Sequence, residues 1–217
     1  MKVFKVRCEL LEEMLGTSPT NTEIYEDYIA SKAPEGQSVE DEIAALGVDE
    51  YVDKTMTAFR RTDDGKLCLF DYQIKGFFKE AAKNCKGDKA NKSSKLAAYK
   101  SKIDGNVFVR PRMIELNFKG FPGNCQRPLR ASTPQGERVA LANSETVPAG
   151  TTFEFEILCM DTEKDKLSAM IEEWLDYGYF KGLGQWRNAS KGRFDYEIVS
   201  EEEVNGGMRE AKKWAKS

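Results

Sequence analysis

Four segments of alternating apolar and polar residues and two of helical periodicity predict an α+β fold, a ferredoxin-like (RRM-like) βαββαβ two-layer sandwich. The predicted order is strand 2–10, helix 74–86, strand 106–118, strand 152–159, helix 164–177 and strand 193–199. A chain of 217 residues is long enough for one well-buried core with insertions. We therefore predict a single domain over 1–217, with a helical insertion at about 20–55 and a long β-hairpin or loop insertion at about 119–150.

The first strand and the first helix rest on clear periodicities. In the strand, apolar residues at every second position alternate with charged ones: Phe4, Val6, Cys8 and Leu10 against Lys5, Arg7 and Glu9. The sequence Asp63-Asp64-Gly65 predicts a hairpin tip. The helix that follows has one apolar face, formed by Ile74, Phe77, Phe78, Ala81, Ala82 and Cys85.

The second half repeats this alternation of strands and helix. Arg110-Pro111-Arg112 predicts a break or bulge within the strand region 106–118, because proline lacks the N–H that a ladder needs. Asp161 or Thr162 can cap the second helix, which Gly178 is expected to end. The apolar positions of that helix and the two strands beside it are Phe153, Phe155, Ile157, Leu167, Met170, Ile171, Trp174, Leu175, Phe194, Tyr196 and Ile198.

Two segments stand outside this core. Residues 22–53 carry ten acidic residues and one basic residue, and their spacing predicts an acidic two-helix insertion. It is either a solvated surface pair or an acidic face for a basic neighbouring subunit or a divalent metal. Residues 119–136 are rich in glycine, proline and arginine, which predicts a long loop or hairpin.

Composition excludes several kinds of chemistry. The chain has no histidine, which removes the Ser-His-Asp and Cys-His mechanisms and the commonest metal ligand. Its five cysteines form no C-x-x-C pair, and we expect Cys8, Cys68 and Cys159 to be small core residues. No segment approaches the roughly 20 apolar residues of a membrane helix. We predict no catalytic residue, no metal and no cofactor, and a cytoplasmic location.

The charge distribution is uneven although the formal net charge is only -3. The region after the acidic segment is rich in lysine, with Lys75, Lys79, Lys83, Lys86, Lys89, Lys92, Lys95, Lys100 and Lys102. A basic stripe on a helix is either its solvated side or a track for a phosphate backbone.

Three segments together resemble the RAMP superfamily, the repeat-associated mysterious proteins of CRISPR effector complexes. The first is Gln73-Ile74-Lys75-Gly76-Phe77-Phe78-Lys79-Glu80-Ala81, similar to the family's passage from a strand through glycine and lysine into the first helix. The second is Arg127-Pro128-Leu129-Arg130 followed by the segment 145–157, similar to an arginine-led hairpin that returns through a V-P-x-G-T-x-F strand. The third is the loop 182–193, placed like the family's C-terminal glycine-rich loop.

This resemblance covers roughly residues 1–10 and 65–200 and does not include the acidic segment. It implies an RNA-binding subunit similar to those of CRISPR effector backbones, assembled with itself or with related subunits, and a role in antiviral defence. Trp186 and Asn188-Ala189-Ser190 stand where the family is often glycine-rich, a departure that bears on the RNA contacts of this loop. Relatives that process guide RNA often use histidine, which this chain lacks.

The candidate nucleic-acid-binding residues fall into three groups. Helix lysines that would follow a phosphate backbone are Lys75, Lys79 and Lys83. Arginines that would clamp phosphates are Arg110, Arg112, Arg127 and Arg130, unless they serve solubility and turn-end hydrogen bonding. The glycine-rich loop offers main-chain N–H groups, a stacking ring and cations through Gly182, Gly184, Trp186, Arg187, Asn188, Lys191, Gly192 and Arg193. The alternative for Trp186 is a buried anchor that pins the loop.

Three functions from different classes remain open at this point. The first is a nonenzymatic subunit that binds single-stranded RNA, or DNA, and assembles with itself or related subunits. The second is a protein-interaction module, such as a stand-alone relative from a mobile element, that engages another complex through 22–53. The third is a metal-dependent ribonuclease that uses acids such as Asp63, Asp64 or Asp71.

Overall fold

The computed structural model describes residues 1–19, 56–133, 136–162 and 166–216, with the backbone alone at 19 and over 129–141. The acidic segment predicted as an insertion lies outside the described residues. The described chain is a mixed α+β protein with four α-helices and several antiparallel strand pairs. The helices are α1 (Asp71–Cys85), α2 (Tyr99–Asn106), α3 (Ile171–Asp176) and α4 (Met208–Trp214).

Twelve strands are present in the described residues. They are β1 (Lys2–Leu10), β2 (Met14–Leu15), β3 (Ser18–Pro19), β4 (Thr57–Ala58), β5 (Arg60–Arg61), β6 (Leu67–Phe70), β7 (Val107–Arg110), β8 (Met113–Glu115), β9 (Gly123–Thr133), β10 (Gly136–Val147), β11 (Thr152–Cys159) and β12 (Phe194–Glu203). The chain divides into two compact units, one of Met1–Met14, Arg61–Lys119 and Pro148–Ser217, the other of Leu15–Arg60 and Gly120–Val147.

The first unit is built on a four-stranded sheet in the order β12-β1-β11-β7. All three neighbouring pairs are antiparallel, and Val6 of β1 lies opposite Phe155 of β11 and Ile198 of β12. Because side chains alternate across a strand, Val6 and Cys8 point to the buried face. Burial raises the pKa of the Cys8 and Cys159 thiols, so they are small apolar core residues, as their positions in the sequence predict.

Helices α1 and α3 cover one face of this sheet through aromatic contacts. The ring of Phe78 lies 5.8 Å from that of Trp174, and the ring of Phe77 lies 5.3 Å from that of Phe194. Trp174 is fully buried, and its Nε1 donates to Ser93 Oγ at 2.8 Å. Full burial of each such ring contributes roughly 2–3 kcal/mol to the stability of the fold. These contacts therefore fix the position of the C-terminal end of α3, where the segment leading to β12 begins.

The opposite face of the sheet is covered at one end by α4. Ala211 is buried there against Val3 and Leu158, and the half-buried Trp214 packs beside them. The indole Nε1 of Trp214 also donates to Glu156 Oε2 at 2.8 Å. An apolar contact and a hydrogen bond therefore fix the position of this short helix on the sheet.

The structure departs from the sequence prediction at two elements. The region 106–118 forms two strands, β7 in the four-stranded sheet and β8 paired with β6, because the chain turns at Pro111. The second predicted helix is only one turn and a half of α-helix, flanked by 3-10 turns at Leu167–Met170 and Tyr177–Tyr179. Strand 2–10, helix 74–86 and strand 152–159 are confirmed by β1, α1 and β11.

The second unit contains the long antiparallel hairpin of β9 and β10. In the same sheet, β4 pairs with β10 and β3 pairs with β4. The buried side chains of Ser144 and Glu145 in this unit are hydrogen-bonded across strands. The hydroxyls of Thr57 and Ser144 are 2.8 Å apart, and the Phe59 N–H donates to Glu145 Oε2 at 2.9 Å. The hairpin occupies the region whose composition predicts a loop or hairpin.

Candidate nucleic-acid interface

Residues 177–193, which join α3 to β12 and which we call the aromatic loop, combine exposed rings with positive charge. Tyr179, Phe180 and Trp186 are 49%, 73% and 43% exposed. The same segment contains four cationic residues and no acidic one. Trp186 is therefore partly exposed at the surface and is not a buried anchor.

Two glycines close the base of the aromatic loop. Gly182 has φ +74° and Gly192 has φ +72°, a conformation that glycine adopts without steric cost. A Cβ on Gly192 would lie 1.9 Å from the carbonyl oxygen of Leu183, and a Cβ on Gly182 would lie 2.3 Å from the carbonyl carbon of Gly192. The Gly192 N–H donates to the carbonyl of Glu13 at 2.8 Å. These two glycines thus allow the two arms of the loop to touch.

The top of the loop holds residues in an uncommon backbone conformation. Trp186 has φ +54° and Ser190 has φ +62°, on either side of a 3-10 turn at Arg187–Ala189. The Ala189 N–H donates to the carbonyl of Trp186 at 2.9 Å. A left-handed conformation costs a non-glycine residue about 1–2 kcal/mol, and such strain is concentrated at binding sites.

Each cation of the loop has a partner that fixes its position. Arg187 Nη1 donates to Glu80 of α1, and Lys191 Nζ donates to Glu13. Arg193 Nη2 lies 3.0 Å from Glu12 Oε1. Lys181 Nζ donates to Asn188 Oδ1 at 2.7 Å, so the predicted site residue Asn188 holds the loop together from within. The three acids come from other parts of the first unit and offset most of this positive charge.

The lysines predicted on α1 divide into two kinds. Lys79 Nζ lies 2.8 Å from Asp104 Oδ1 of α2, and this hydrogen bond lowers the pKa of the Asp104 carboxyl. Lys75 Nζ donates to the Asp104 carbonyl and lies 5.2 Å from the Phe108 ring centroid. Desolvation by burial lowers the pKa of Lys75. Lys83 is exposed, makes no ion pair with any residue the structure describes, and follows Glu80 by one helical turn on α1.

Arg110 and Arg112 stand on either side of Pro111 but differ in their surroundings. Arg110 donates through Nε and Nη2 to Glu156 Oε2 at 2.8 and 2.6 Å, and its guanidinium lies 4.6 Å from the Trp214 ring. Its partners tie β7 to β11 and α4. Arg112 is 73% exposed in its side chain, 3.5 Å from Asp71 and over the ring of Phe70. Of these two arginines, Arg112 is the one whose charge faces solvent.

The remaining predicted residues lie elsewhere. Gly184 is part of the aromatic loop, with φ +79°. Arg127 and Arg130 belong to β9 in the second unit, where Arg127 is buried and Arg130 pairs by backbone with Val139. The structure therefore gathers the glycines, Trp186, Arg187, Asn188, Lys191 and Arg193 into one loop, beside the exposed face of α1.

The carboxylates considered for metal-dependent cleavage are not gathered. Asp63 and Asp64 lie at an exposed turn, while Asp71 begins α1 and accepts from the Tyr72 N–H. Within the described ranges, no group of three His, Cys, Asp or Glu side chains is placed to hold a metal ion. Over the same ranges, no helix is long and apolar enough to cross a bilayer.

Two exposed rings of the loop, Tyr179 and Phe180, are absent from the predicted site. The sequence carries a signal for them, because Gly178 ends the helical periodicity and the aromatic residues after it cannot stay on the buried helix face. Two adjacent aromatic residues directly after a helix stop, followed by lysine and glycine, favour exposure of at least one of the rings.

No family model and no curated protein sequence matches this chain. Among solved structures, it is similar to a chain in the cryo-EM structure of the Type III-B Cmr-beta bound to cognate target RNA, with 11% identity and a TM-score of 0.49. The alignment covers 93% of this chain and 60% of that chain, so this protein spans about three-fifths of the length of its neighbour. A likeness of this degree transfers no function, and the assignment rests on the site itself.

Proposed function

We propose that this chain is a nonenzymatic subunit that binds single-stranded nucleic acid through the aromatic loop and the adjoining face of α1. RNA is the favoured ligand and DNA is the alternative. The observation that carries the proposal is the exposure of Trp186 next to Arg187 on a loop closed by glycines. Proteins that bind single strands combine cations that follow the backbone with rings on which bases stack. The aromatic loop supplies both in one rigid segment.

We also infer that the first unit has the ferredoxin-like βαββαβ arrangement. Taken in chain order, β1, β7, β11 and β12 are its four strands, and the observed sequence of neighbours places the fourth beside the first and the third between first and second. The packing of α1 and α3 on one face supports the same arrangement.

The open face of the sheet is a poor alternative for nucleic acid. On that face Arg7 lies opposite Glu154 and Glu197, and Glu9 lies opposite Asp195. Acidic side chains outnumber basic ones there, and they would repel phosphates. The other end of this face is covered by α4. A strand of nucleic acid would meet the aromatic loop with less repulsion.

Cations that are already paired can still serve a phosphate. Arg187 follows Trp186 in the chain and is partly exposed, although its guanidinium is paired with Glu80. Lys83, one turn further along α1, adds a cation with no acidic partner in the described part of the chain. We expect these two cations to contact phosphates of the bound strand.

The assembly part of the proposal, in which the chain binds copies of itself or related subunits, rests on the resemblance of three of its segments to RAMP proteins. An acidic segment and a lysine-rich segment in one chain offer opposite charges to neighbouring copies. Light scattering after size-exclusion chromatography, with and without RNA, measures whether larger species form.

The test of the function is fluorescence anisotropy with labelled single-stranded RNA and DNA over a salt series. We expect salt-dependent binding with a slope of about −0.7 per phosphate contact. Arg187→Ala should weaken binding and reduce that slope by about one contact. Lys213→Ala, which removes an exposed lysine of α4 paired with Glu210, is the matched control and should bind like the parent.

Absence of binding at low salt contradicts the proposal. So does an equal loss in the Arg187→Ala and Lys213→Ala variants, because the binding would then follow net charge alone.

A further inference from the structure

Three aromatic residues in the turn after α3 have different surroundings. The Tyr177 ring lies 6.1 Å from that of Phe77, and its hydroxyl accepts from Asn84 Nδ2 at 3.0 Å. Tyr179 and Phe180 face outward and are 49% and 73% exposed. One ring therefore anchors the turn to α1, while the next two are presented to solvent.

The turn is rigid because the core holds it from below. A Cβ on Gly178 would lie 2.2 Å from Cζ of Phe194, so the backbone sits directly on that buried ring. The N–H groups of Phe180 and Lys181 both donate to the carbonyl of Tyr177, at 3.2 and 3.0 Å. A surface that is already ordered loses little conformational entropy when a ligand binds.

The two exposed rings form a pair. Their centroids are 5.5 Å apart with an interplanar angle of 70°, an edge-to-face arrangement. The Arg193 guanidinium lies 6.0 Å from the Tyr179 ring centroid, and Lys181 follows directly in the chain. The exposed apolar surface is thus small and bordered by cations, with no acidic residue anywhere in 177–193.

We propose that Tyr179 and Phe180 form a base-stacking subsite for single-stranded nucleic acid, separate from Trp186. The inference rests on the proposed function and specifies which rings stack on the bases of the bound strand. Every base has a π-face, so stacking is tolerant of sequence, whereas the bases of a duplex are hidden from these rings. The surrounding cations favour a polyanion over an apolar protein surface as the occupant.

The experiment compares three ligands on the parent protein and its variants: a labelled single-stranded RNA, an oligomer of the same length with abasic sites throughout, and an RNA duplex. We expect Phe180→Ala to weaken binding of the RNA about tenfold, the lower range of stacking losses on alanine substitution. Binding of the abasic oligomer and the slope of affinity against salt should not change. Tyr179→Phe keeps the ring and should bind like the parent.

Each other outcome has a distinct meaning. If the parent binds none of the ligands, the proposed function fails and this subsite with it. If the parent binds RNA and Phe180→Ala binds it equally well, the subsite is overturned while the function stands. An equal loss on the abasic oligomer overturns it too, because the rings would then support the loop rather than bases. Loss of self-association in Phe180→Ala with unchanged RNA affinity would assign the rings to a second copy.

Discussion

The exposed side of α1 and the aromatic loop are both basic in sequence, but their charges are held differently in the structure. On α1, Lys79 and Lys75 both donate hydrogen bonds to Asp104 of α2, and Lys75 lies 5.2 Å from the ring centroid of Phe108. In the aromatic loop the cations are paired as well, but the rings of Phe180 and Trp186 remain exposed beside them. Two regions with a similar density of lysine and arginine thus differ in the aromatic surface that they expose, and this difference is the basis on which we propose the aromatic loop as the binding surface.

The largest expected effect concerns the backbone that gives the loop its shape. Gly192→Ala forces a Cβ into the Leu183 carbonyl at a positive φ, and we expect a loss of about 2–5 kcal/mol in the free energy of unfolding. Gly65→Ala is the control, because Gly65 has φ +80° with open space around its Cβ, and it should cost about 1–2 kcal/mol. Urea denaturation measures both. Equal losses in the free energy of unfolding would mean that the close contact between a Cβ at position 192 and the Leu183 carbonyl does not affect stability.

A medium effect distinguishes the two basic regions by removing their acidic partners. Glu80→Gln releases Arg187, and we expect single-stranded RNA to bind about two- to threefold more tightly at low salt. Asp104→Asn releases Lys79 on α1 and should change affinity less than twofold, since Lys79 is not part of the aromatic loop. Anisotropy titrations of both variants make the comparison. A larger gain from Asp104→Asn would mean that Lys79, and not Arg187, is the main phosphate contact.

The smallest effect concerns Lys75, whose pKa is lowered below its usual 10.5 by desolvation. Because its charged form is disfavoured in the folded state, Lys75 opposes folding at neutral pH, and the penalty fades as pH rises through this pKa toward 10.5. We expect Lys75→Met to be as stable as the parent or more stable, by up to about 0.5 kcal/mol at pH 7.

The stability difference between Lys75→Met and the parent should shrink as the pH rises above 10. Lys83→Met, at an exposed position of the same helix, should show no such dependence on pH. Urea denaturation between pH 7 and 11 tests both variants. A clear loss of stability in Lys75→Met at pH 7 would contradict the expectation that the partly desolvated charge of Lys75 opposes folding.

The sequence predicts the parts of the fold that depend on local periodicity. The alternation in β1 and the apolar spacing in α1 are strong because one face of each element is fully buried, so Val6 and Phe78 could be placed in the core. The aromatic loop could also be located, since its glycines mark positions that need positive φ.

Contacts between distant segments could not be predicted in the same way. Arg110 is separated by 46 residues from Glu156 and by 104 from Trp214, and no local pattern pairs them. The same holds for Arg187 and Glu80, which are 107 residues apart. The sequence does not distinguish a loop cation that is paired with an acidic residue from one that contacts a ligand. Only the structure shows which cations are paired with acidic residues.

The three tryptophans of this chain occupy three different environments. Trp174 is fully enclosed in the core, Trp214 packs under a guanidinium on the sheet, and Trp186 is open to water. Intrinsic fluorescence should therefore sum three contributions: a blue-shifted emission from the core, one from the contact of α4 with the sheet, and a red-shifted emission that acrylamide can quench. A variant that keeps Trp186 and carries phenylalanine at positions 174 and 214 would report ligand binding at the aromatic loop without an added label.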